Sequence, residues 1–304
     1  MIVFMGTPEF SVPILEMLIE NGYPVGLVVT QPDKPVGRKK ILTPSPVKKV
    51  ALKHGIEVFQ PVKLKEEYQK ILDLKPKLII TAAFGQILPK ALLNEIKAIN
   101  VHGSLLPKYR GGAPIQYSIF NGEKETGITL MEMVYKMDAG DMIDKAVVKI
   151  EDEDDYGTLT KKLSIAGRDL LEKNLDDVLR GTYGKQKQMD EEVTFAYTIK
   201  YEDEALNFNE SLLWNHNRVR GLSPLPGAHF EIGGTTVKVF KTRISDIINI
   251  EPNEIRIVNK RLIIGCKDGG LELVEIQQSG KNKLMVKDFL NGQNLFKDGG
   301  FING

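Results

Sequence analysis

The sequence predicts an α/β protein with a Rossmann-like, mostly parallel sheet domain followed by a smaller β-rich domain. Three observations predict it. Short apolar runs alternate with amphipathic stretches through the first half, a βαβα rhythm with short connections that favours an open parallel sheet covered by helices. Beyond about residue 200 the pattern becomes short strands separated by Gly233-Gly234, Pro252-Asn253, Asp268-Gly269-Gly270 and Ser279-Gly280, a spacing that suits a small barrel or sandwich. A length of 304 residues is ample for two domains.

The elements follow in order. Ile2–Met5 reads as a buried strand, and Glu9–Asn21 has apolar residues at helical spacing. Thr7 before Pro8 fits an N-cap followed by proline at the first helical position, with Gly22 as the stop. Val25–Val29 is a second strand. Ser45-Pro46 opens a helix through Lys53. A third strand is expected at Glu57–Phe59, a helix at Lys65–Leu74, and a strong strand at Leu78–Ala82. A short helix over Pro89–Lys97 leads into a strand from Ala98 to Val101. Gly127–Val134 and Met142–Ile150 read as strands, and Asp155–Leu179 as a long helix carrying Leu159, Leu163, Ala166, Leu170 and Leu171. The next stretch is polar and aperiodic, so the expected division is 1–186, a linker over 187–203, and 204–304. Ser211–Val219 is one more helix.

Composition narrows the class. One cysteine, Cys266, excludes an internal disulfide framework and a cysteine-based zinc site, and four histidines argue against a His-rich metal site. Cys266 itself reads as a core residue in a strand, not as a nucleophile. No apolar run approaches the roughly 18–20 residues needed to span a membrane, and Met1–Gly6 reads as a strand and not as a signal peptide. No Gly-x-Gly-x-x-Gly follows the first strand and no P-loop occurs, so neither NAD nor another dinucleotide is expected. A soluble, intracellular protein without a metal is the expectation.

Chemistry concentrates in Asn100-Val101-His102-Gly103-Ser104-Leu105-Leu106-Pro107-Lys108-Tyr109-Arg110-Gly111-Gly112. It sits at the carboxyl end of a predicted strand, where open α/β sheets bind ligands. Asn100 and His102 are two apart, so both side chains leave one face if the strand persists. An amide and an imidazole side by side can hold an oxyanion and carry a proton. Equally, Asn100 could cap a turn and His102 could be an ordinary loop histidine.

The pattern Asn-x-His-x-Ser-Leu-Leu-Pro-x-x-Arg-Gly, with Met137-Asp138-Ala139-Gly140 downstream, resembles the folate-dependent formyltransferases. Three further segments resemble the branch that formylates methionyl-initiator tRNA: Phe4–Ser11, Gln31–Arg38 with Thr43–Lys48, and Asn217–Pro224. The resemblance implies a catalytic trio of Asn100, His102 and Asp138, and 10-formyltetrahydrofolate as co-substrate. It implies formyl transfer to an α-amine through a tetrahedral adduct, Asn100 and His102 at the oxyanion and Asp138 in the proton relay. A folate pocket is implied at Ser104, Leu105, Leu106 and Pro107 together with Phe84, Gly85 and Ile87. It also implies an OB-like second domain that helps to bind tRNA, in a bacterial cytoplasmic enzyme for which a monomer is the default.

The stretch from Lys34 to Lys53 holds seven basic residues and no acid. It reads as a long extended loop, either a solvated face or a grip on phosphates. The resemblance places it on the tRNA acceptor arm, with Arg38, Lys39 and Lys40 as the contacts. From Glu204 onward 13 basic side chains face 11 acidic ones, a weaker excess than a tRNA-binding domain leads one to expect. Lys238, Lys241 and Arg243 nevertheless cluster, as do Lys281, Lys283 and Lys287. Three alternatives stay open: a formyltransferase for glycinamide ribonucleotide, one for an amino sugar nucleotide, and a tRNA-binding protein without turnover. The basic loop speaks against the first two, and the complete trio against the third.

Overall fold

The computed structural model describes residues 1–37 and 39–302. The chain divides into two compact units. The first comprises Met1–Pro114, Glu125–Lys149 and Thr160–Tyr197; the second takes in Ile115–Lys124, Ile150–Leu159 and the residues from Thr198 on.

In chain order the first half contains β1 (Ile2–Gly6), α1 (Val12–Glu20), β2 (Val25–Val29), β3 (Lys34–Val36), β4 (Ile41–Thr43) and α2 (Pro46–Lys53). Then come β5 (Val58–Phe59), α3 (Leu64–Glu67), α4 (Gln69–Asp73), β6 (Leu78–Ala82), α5 (Lys90–Glu95) and β7 (Ala98–His102). They are followed by α6 (Pro114–Phe120), β8 (Glu125–Glu132), β9 (Met142–Lys149) and α7 (Tyr156–Arg180). Seven strands form one sheet in the order β5-β2-β1-β6-β7-β8-β9. The five strands from β5 to β7 run parallel, whereas β8 and β9 are antiparallel additions. β1 and β6 are buried along their whole length, as near-continuous Val, Ile and Leu runs require in a sheet covered on both faces. Val3, Met5, Leu27, Val29, Ile79, Leu64 and Ile71 share one core.

Local expectations failed where a distant partner offered a better bond. Thr7 does not cap a helix: its hydroxyl donates to the Phe84 carbonyl at 3.0 Å. A 3-10 turn over Glu9–Ser11 precedes α1, so Pro8 sits before that turn and not inside the helix. Ser45, by contrast, caps α2 as its position suggested, its Oγ accepting from Lys48 N at 3.1 Å. The single helix expected over Lys65–Leu74 is split at Tyr68, and each piece sends one residue, Leu64 and Ile71, into the same core. The stretch expected as an extended loop contains a hairpin: β3 pairs antiparallel with β4, with a Lys40 N to Gly37 O bond at the turn. α6 carries no signal that periodicity resolves.

The second unit contains α8 (Leu212–Leu222), β10 (Ala228–Ile232), β11 (Thr235–Ile244), β12 (Ile255–Val258), β13 (Arg261–Cys266), β14 (Gly269–Gln278), β15 (Leu284–Met285) and α9 (Val286–Phe289). Its antiparallel sheet runs β10-β11-β14-β13-β12, with β15 also on β14. The expected barrel is not closed among the described residues. Each end strand is covered instead by irregular chain: Leu206 N donates to His229 O beside β10, and Ile255 N donates to Gly300 O beside β12. Covering an edge satisfies its backbone groups without joining the two ends of the sheet. Phe208, Val219, Leu222, Phe230, Val237, Leu262, Leu271 and Phe296 form the core of this unit.

Candidate active site

β7 brings the central residues to the carboxyl end of the parallel strands. Its register sets Asn100 beside Thr81 of β6 and beside Met131 of β8, with His102 opposite Thr129. The Thr81 hydroxyl donates to Asn100 Oδ1 at 2.8 Å. With its carbonyl end so engaged, the Asn100 carboxamide presents its NH2 as the donor end.

His102 is buried, with 5% of its surface exposed. Its Nε2 lies 3.0 Å from the Tyr109 carbonyl oxygen, which can only accept, so Nε2 carries a proton. Nδ1 is therefore the nitrogen left to gain or lose one, and it faces Asp138 Oδ1 at 3.8 Å. That separation lies beyond a direct hydrogen bond but within ion-pair distance of an imidazolium. Asp138 adopts a left-handed φ of 47° in the turn after β8, a region that Asp and Asn enter more readily than other residues with a Cβ. Its second oxygen, Oδ2, accepts from Gly111 N at 2.9 Å. Gly111 has φ 125°, and a Cβ there would overlap the Ala196 carbonyl oxygen, so glycine is required. The structure thus brings His102 and Asp138 together and sets Asn100 on the same strand face as His102.

The residues expected at a folate pocket occupy different environments. Phe84 and Leu106 are core side chains, 4% and 0% exposed. Leu106 N donates to Thr129 Oγ1 at 3.0 Å, and Leu106 O accepts from Lys145 Nζ at 2.6 Å. Ser104 is fully buried and its hydroxyl donates to Lys108 O at 2.6 Å; Pro107 is buried and Leu105 half-buried. Ile87 is 71% exposed. Gly85, at φ 87°, has among the described residues only Gln31 Nε2, at 3.6 Å, near the position a Cβ would take, so open backbone is offered there.

Of the proposed tRNA contacts, Lys39 and Lys40 are exposed on the turn of the β3–β4 hairpin, and Arg38 lies outside the described residues. Lys48, one of the same basic run, has a different task. It meets Asp33 Oδ2 and Gln60 Oε1, both at 2.7 Å, and ties the hairpin's base to α2. This bond to Lys48 holds the Asp33 carboxyl below its usual range. Cys266 is buried, and burial pushes its thiol up to about 12, which keeps it un-ionised near neutrality. Clefts of about 670 and 270 Å³ lie elsewhere: one among Leu72, Pro76, Ala91 and Ile96 at the amino ends of β6 and β7, the other among Leu206, Phe208 and His229. Thr81, the Tyr109 carbonyl and Gln188, whose bonds are described below, carry no sequence signal, because each acts through a contact that only folding creates.

Sequence comparison names the class of enzymes to which the chain belongs, one that transfers a group. The formyl transferase family model matches residues 1–175, and that of the formyl transferase C-terminal domain matches residues 198–294. This chain belongs to the formyl transferase family. It is 50% identical over 301 residues to a methionyl-tRNA formyltransferase of Bacillus subtilis, covering 97% of this chain and 95% of that one. It is 49% identical over 298 residues to one of Enterococcus faecalis, covering 96% and 95%. An N-formyltransferase of Helicobacter canadensis, solved with folinic acid and dTDP-3-aminofucose, superposes with a TM-score of 0.69 at 22% identity, covering 93% of this chain and 99% of that one. HypX from Aquifex aeolicus in complex with tetrahydrofolic acid superposes at 0.65 and 17% identity over 95% of this chain; the chain spans about half (46%) of that protein.

Proposed function

We propose that this chain transfers the formyl group of 10-formyltetrahydrofolate to the α-amino group of methionyl-initiator tRNA. The observation that carries the proposal is 50% identity along nearly the full length of a methionyl-tRNA formyltransferase. The structural neighbours described as sugar N-formyltransferases or solved with an amino sugar nucleotide are no more than 22% identical and speak for the fold alone.

The trio divides the chemistry. Asn100, its carbonyl end held by Thr81, donates from its NH2 to the formyl oxygen as charge develops there. One such donor is typically worth about 2.7–4 kcal/mol of barrier. His102, fixed in tautomer by the Tyr109 carbonyl, offers Nδ1 to the transferring proton. Asp138 faces that nitrogen and stabilises the imidazolium while the proton passes from the attacking amine toward the leaving nitrogen. The open backbone at Gly85 and the exposed Ile87 suit the flat pterin edge. Phe84, Ser104, Leu105, Leu106 and Pro107 are proposed to shape the pocket from behind. The whole trio comes from one chain, so no second copy is needed to complete it, and a monomer is the proposed active species. The bacterial relatives and the tRNA substrate support a cytoplasmic enzyme.

Lys39 and Lys40, with Arg38, are proposed to hold the acceptor stem. The second unit, read as an open relative of an OB-like barrel, is proposed to add a modest tRNA contact from Lys238, Lys241 and Arg243. Its contribution is limited because acids answer many of its bases: Lys241 and Arg243 lie opposite Glu275 and Glu272 in the register. The residues to 186, 187–203 and from 204 on remain the proposed catalytic, connecting and tRNA-binding segments.

The test is turnover of purified protein with 10-formyltetrahydrofolate and radiolabelled methionyl-initiator tRNA, beside tubes holding glycinamide ribonucleotide and a dTDP-amino sugar. Formyl-methionine from the tRNA tube alone is expected. Turnover only on a small amine would overturn the tRNA reading, and tRNA binding without any turnover would overturn the catalytic one.

A further inference from the structure

The segment after α7, polar and aperiodic in sequence, bonds to both halves of the candidate site. Gln186 exchanges backbone bonds with Met142 at 2.8 and 2.9 Å. Farther along, Thr194 Oγ1 accepts from Tyr109 N at 2.9 Å, Thr194 O accepts from Arg110 N at 2.9 Å, and Ala196 N donates to Arg110 O at 2.8 Å. Between these anchors lies Gln188. Its Nε2 donates to two carbonyl oxygens of the same turn, Asp138 O and Gly140 O, both at 2.8 Å. Its Oε1 accepts from Arg110 Nε at 2.9 Å.

The two ring nitrogens of His102 face two elements: Tyr109 O on one side and Asp138 Oδ1 on the other. One strap binds both. We propose that Gln188 is a positioning residue for formyl transfer, setting Asp138 against His102 by clamping the left-handed turn and tying it to Arg110. The inference rests on the reading of Asn100, His102 and Asp138 as the catalytic trio. The chemistry singles out a carboxamide, since one group must donate twice and accept once. A carboxylate at this place keeps the bond to Arg110 but meets two carbonyl oxygens with no hydrogen to give. A thioether of the same length loses all three bonds and keeps the shape.

The experiment compares Gln188→Met, Gln188→Glu and Asp138→Ala with the parent in steady-state kinetics, pH profiles of kcat and thermal melts. Both Gln188 variants are expected to melt within a few degrees of the parent. Their kcat should fall about 10-fold or more while KM for tRNA stays within about twofold, the pattern of an interaction realised in the transition state. The pH profile of kcat should move, because the spacing of Asp138 and His102 changes. Parental kcat and pH profile in Gln188→Met overturn the proposal, and so does full activity in Gln188→Glu, which would leave the Arg110 bond as the only one that matters. Losses of kcat that track the melting temperature, with an unmoved pH profile, also overturn it and reduce Gln188 to a structural residue. Should Asp138→Ala turn over normally, the trio reading fails and the inference with it. An inactive Asp138→Ala beside a parental Gln188→Met sinks the inference alone.

Discussion

The strand-end loop around His102 and the basic β3–β4 hairpin both stand out in the sequence, yet the structure treats them in opposite ways. The loop is over-determined. His102, Ser104, Leu106 and Arg110 are buried, and the polar atoms of this loop bond to residues between 4 and 85 positions away. The hairpin is held by three antiparallel pairs of its own and by the Asp33–Lys48–Gln60 anchor at its base. Along its strands Val36, Ile41 and Leu42 are 57–65% exposed. A site that performs chemistry needs its groups fixed before the substrate arrives. A surface that meets a phosphate backbone needs charge and reach, and it can settle into place on binding. The contrast teaches that burial with satisfied polar groups, and not charge, distinguishes the proposed reacting end from the proposed phosphate-binding hairpin.

Substitutions test the contrast, the largest effects first. Asn100→Ala, His102→Ala and Asp138→Ala are each expected to lower kcat by about 10² or more, with circular dichroism unchanged. A folded His102→Ala protein that turns over normally would end the proposed mechanism. Gly111→Ala should cost roughly 1–3 kcal/mol of stability through backbone strain and the clash with Ala196, and should displace the N–H that holds Asp138. Urea melts and kcat, measured together, check it; an innocuous alanine would mean that the loop is softer than its bonds imply. Replacing Arg38, Lys39 and Lys40 by alanine should raise KM for tRNA several-fold with little change in kcat. The salt slope of binding should fall by about 1 for each phosphate that is no longer neutralised. If kcat falls instead, the hairpin belongs to the reacting end and the comparison breaks.

A half-buried imidazole provides the smallest and most discriminating test. His216 on α8 bonds through Nδ1 to Thr242 Oγ1 at 2.8 Å, and burial, aided by the neighbouring Arg220, lowers its pKa to about 4. Glu153 and Asp152 oppose that shift without cancelling it. A histidine neutral in the folded state binds protons more readily when unfolded, so it lends stability above about pH 6.5. That stability drains as pH falls from about 6.5 toward 4 and changes no further below. His216→Gln should flatten the melting temperature across that window and leave kcat at about pH 7.5 untouched. A loss of turnover would show that His216 serves the reaction and not only the fold.

Most strands of the parallel sheet were legible from apolar runs, β2 and β6 to the residue, because a strand buried on both faces, as β6 is throughout and β2 over its last three residues, leaves a continuous signature. Asn100 and His102 were legible as a pair because a two-residue spacing on a strand needs no tertiary information. The cap at Ser45 was readable for the same local reason, whereas Thr7 was misread because its partner, Phe84, lies 77 residues away. The barrel expected of the second unit depended on whether the ends of the sheet pair, and coil segments near residues 206 and 300 cover them instead.

The sequence by itself determined the parallel strands and the long helix α7, the candidate residues Asn100, His102 and Asp138, and the family, since these rest on periodicity and on motifs read along the chain. Only the tertiary structure decided which nitrogen of His102 is held by Tyr109, which end of Asn100 is held by Thr81, and that an apparent linker straps the candidate site. The reason is physical. Hydrogen bonds are short and directional, and those that orient a reacting group are made with whatever the fold brings within about 3 Å, at any distance along the chain.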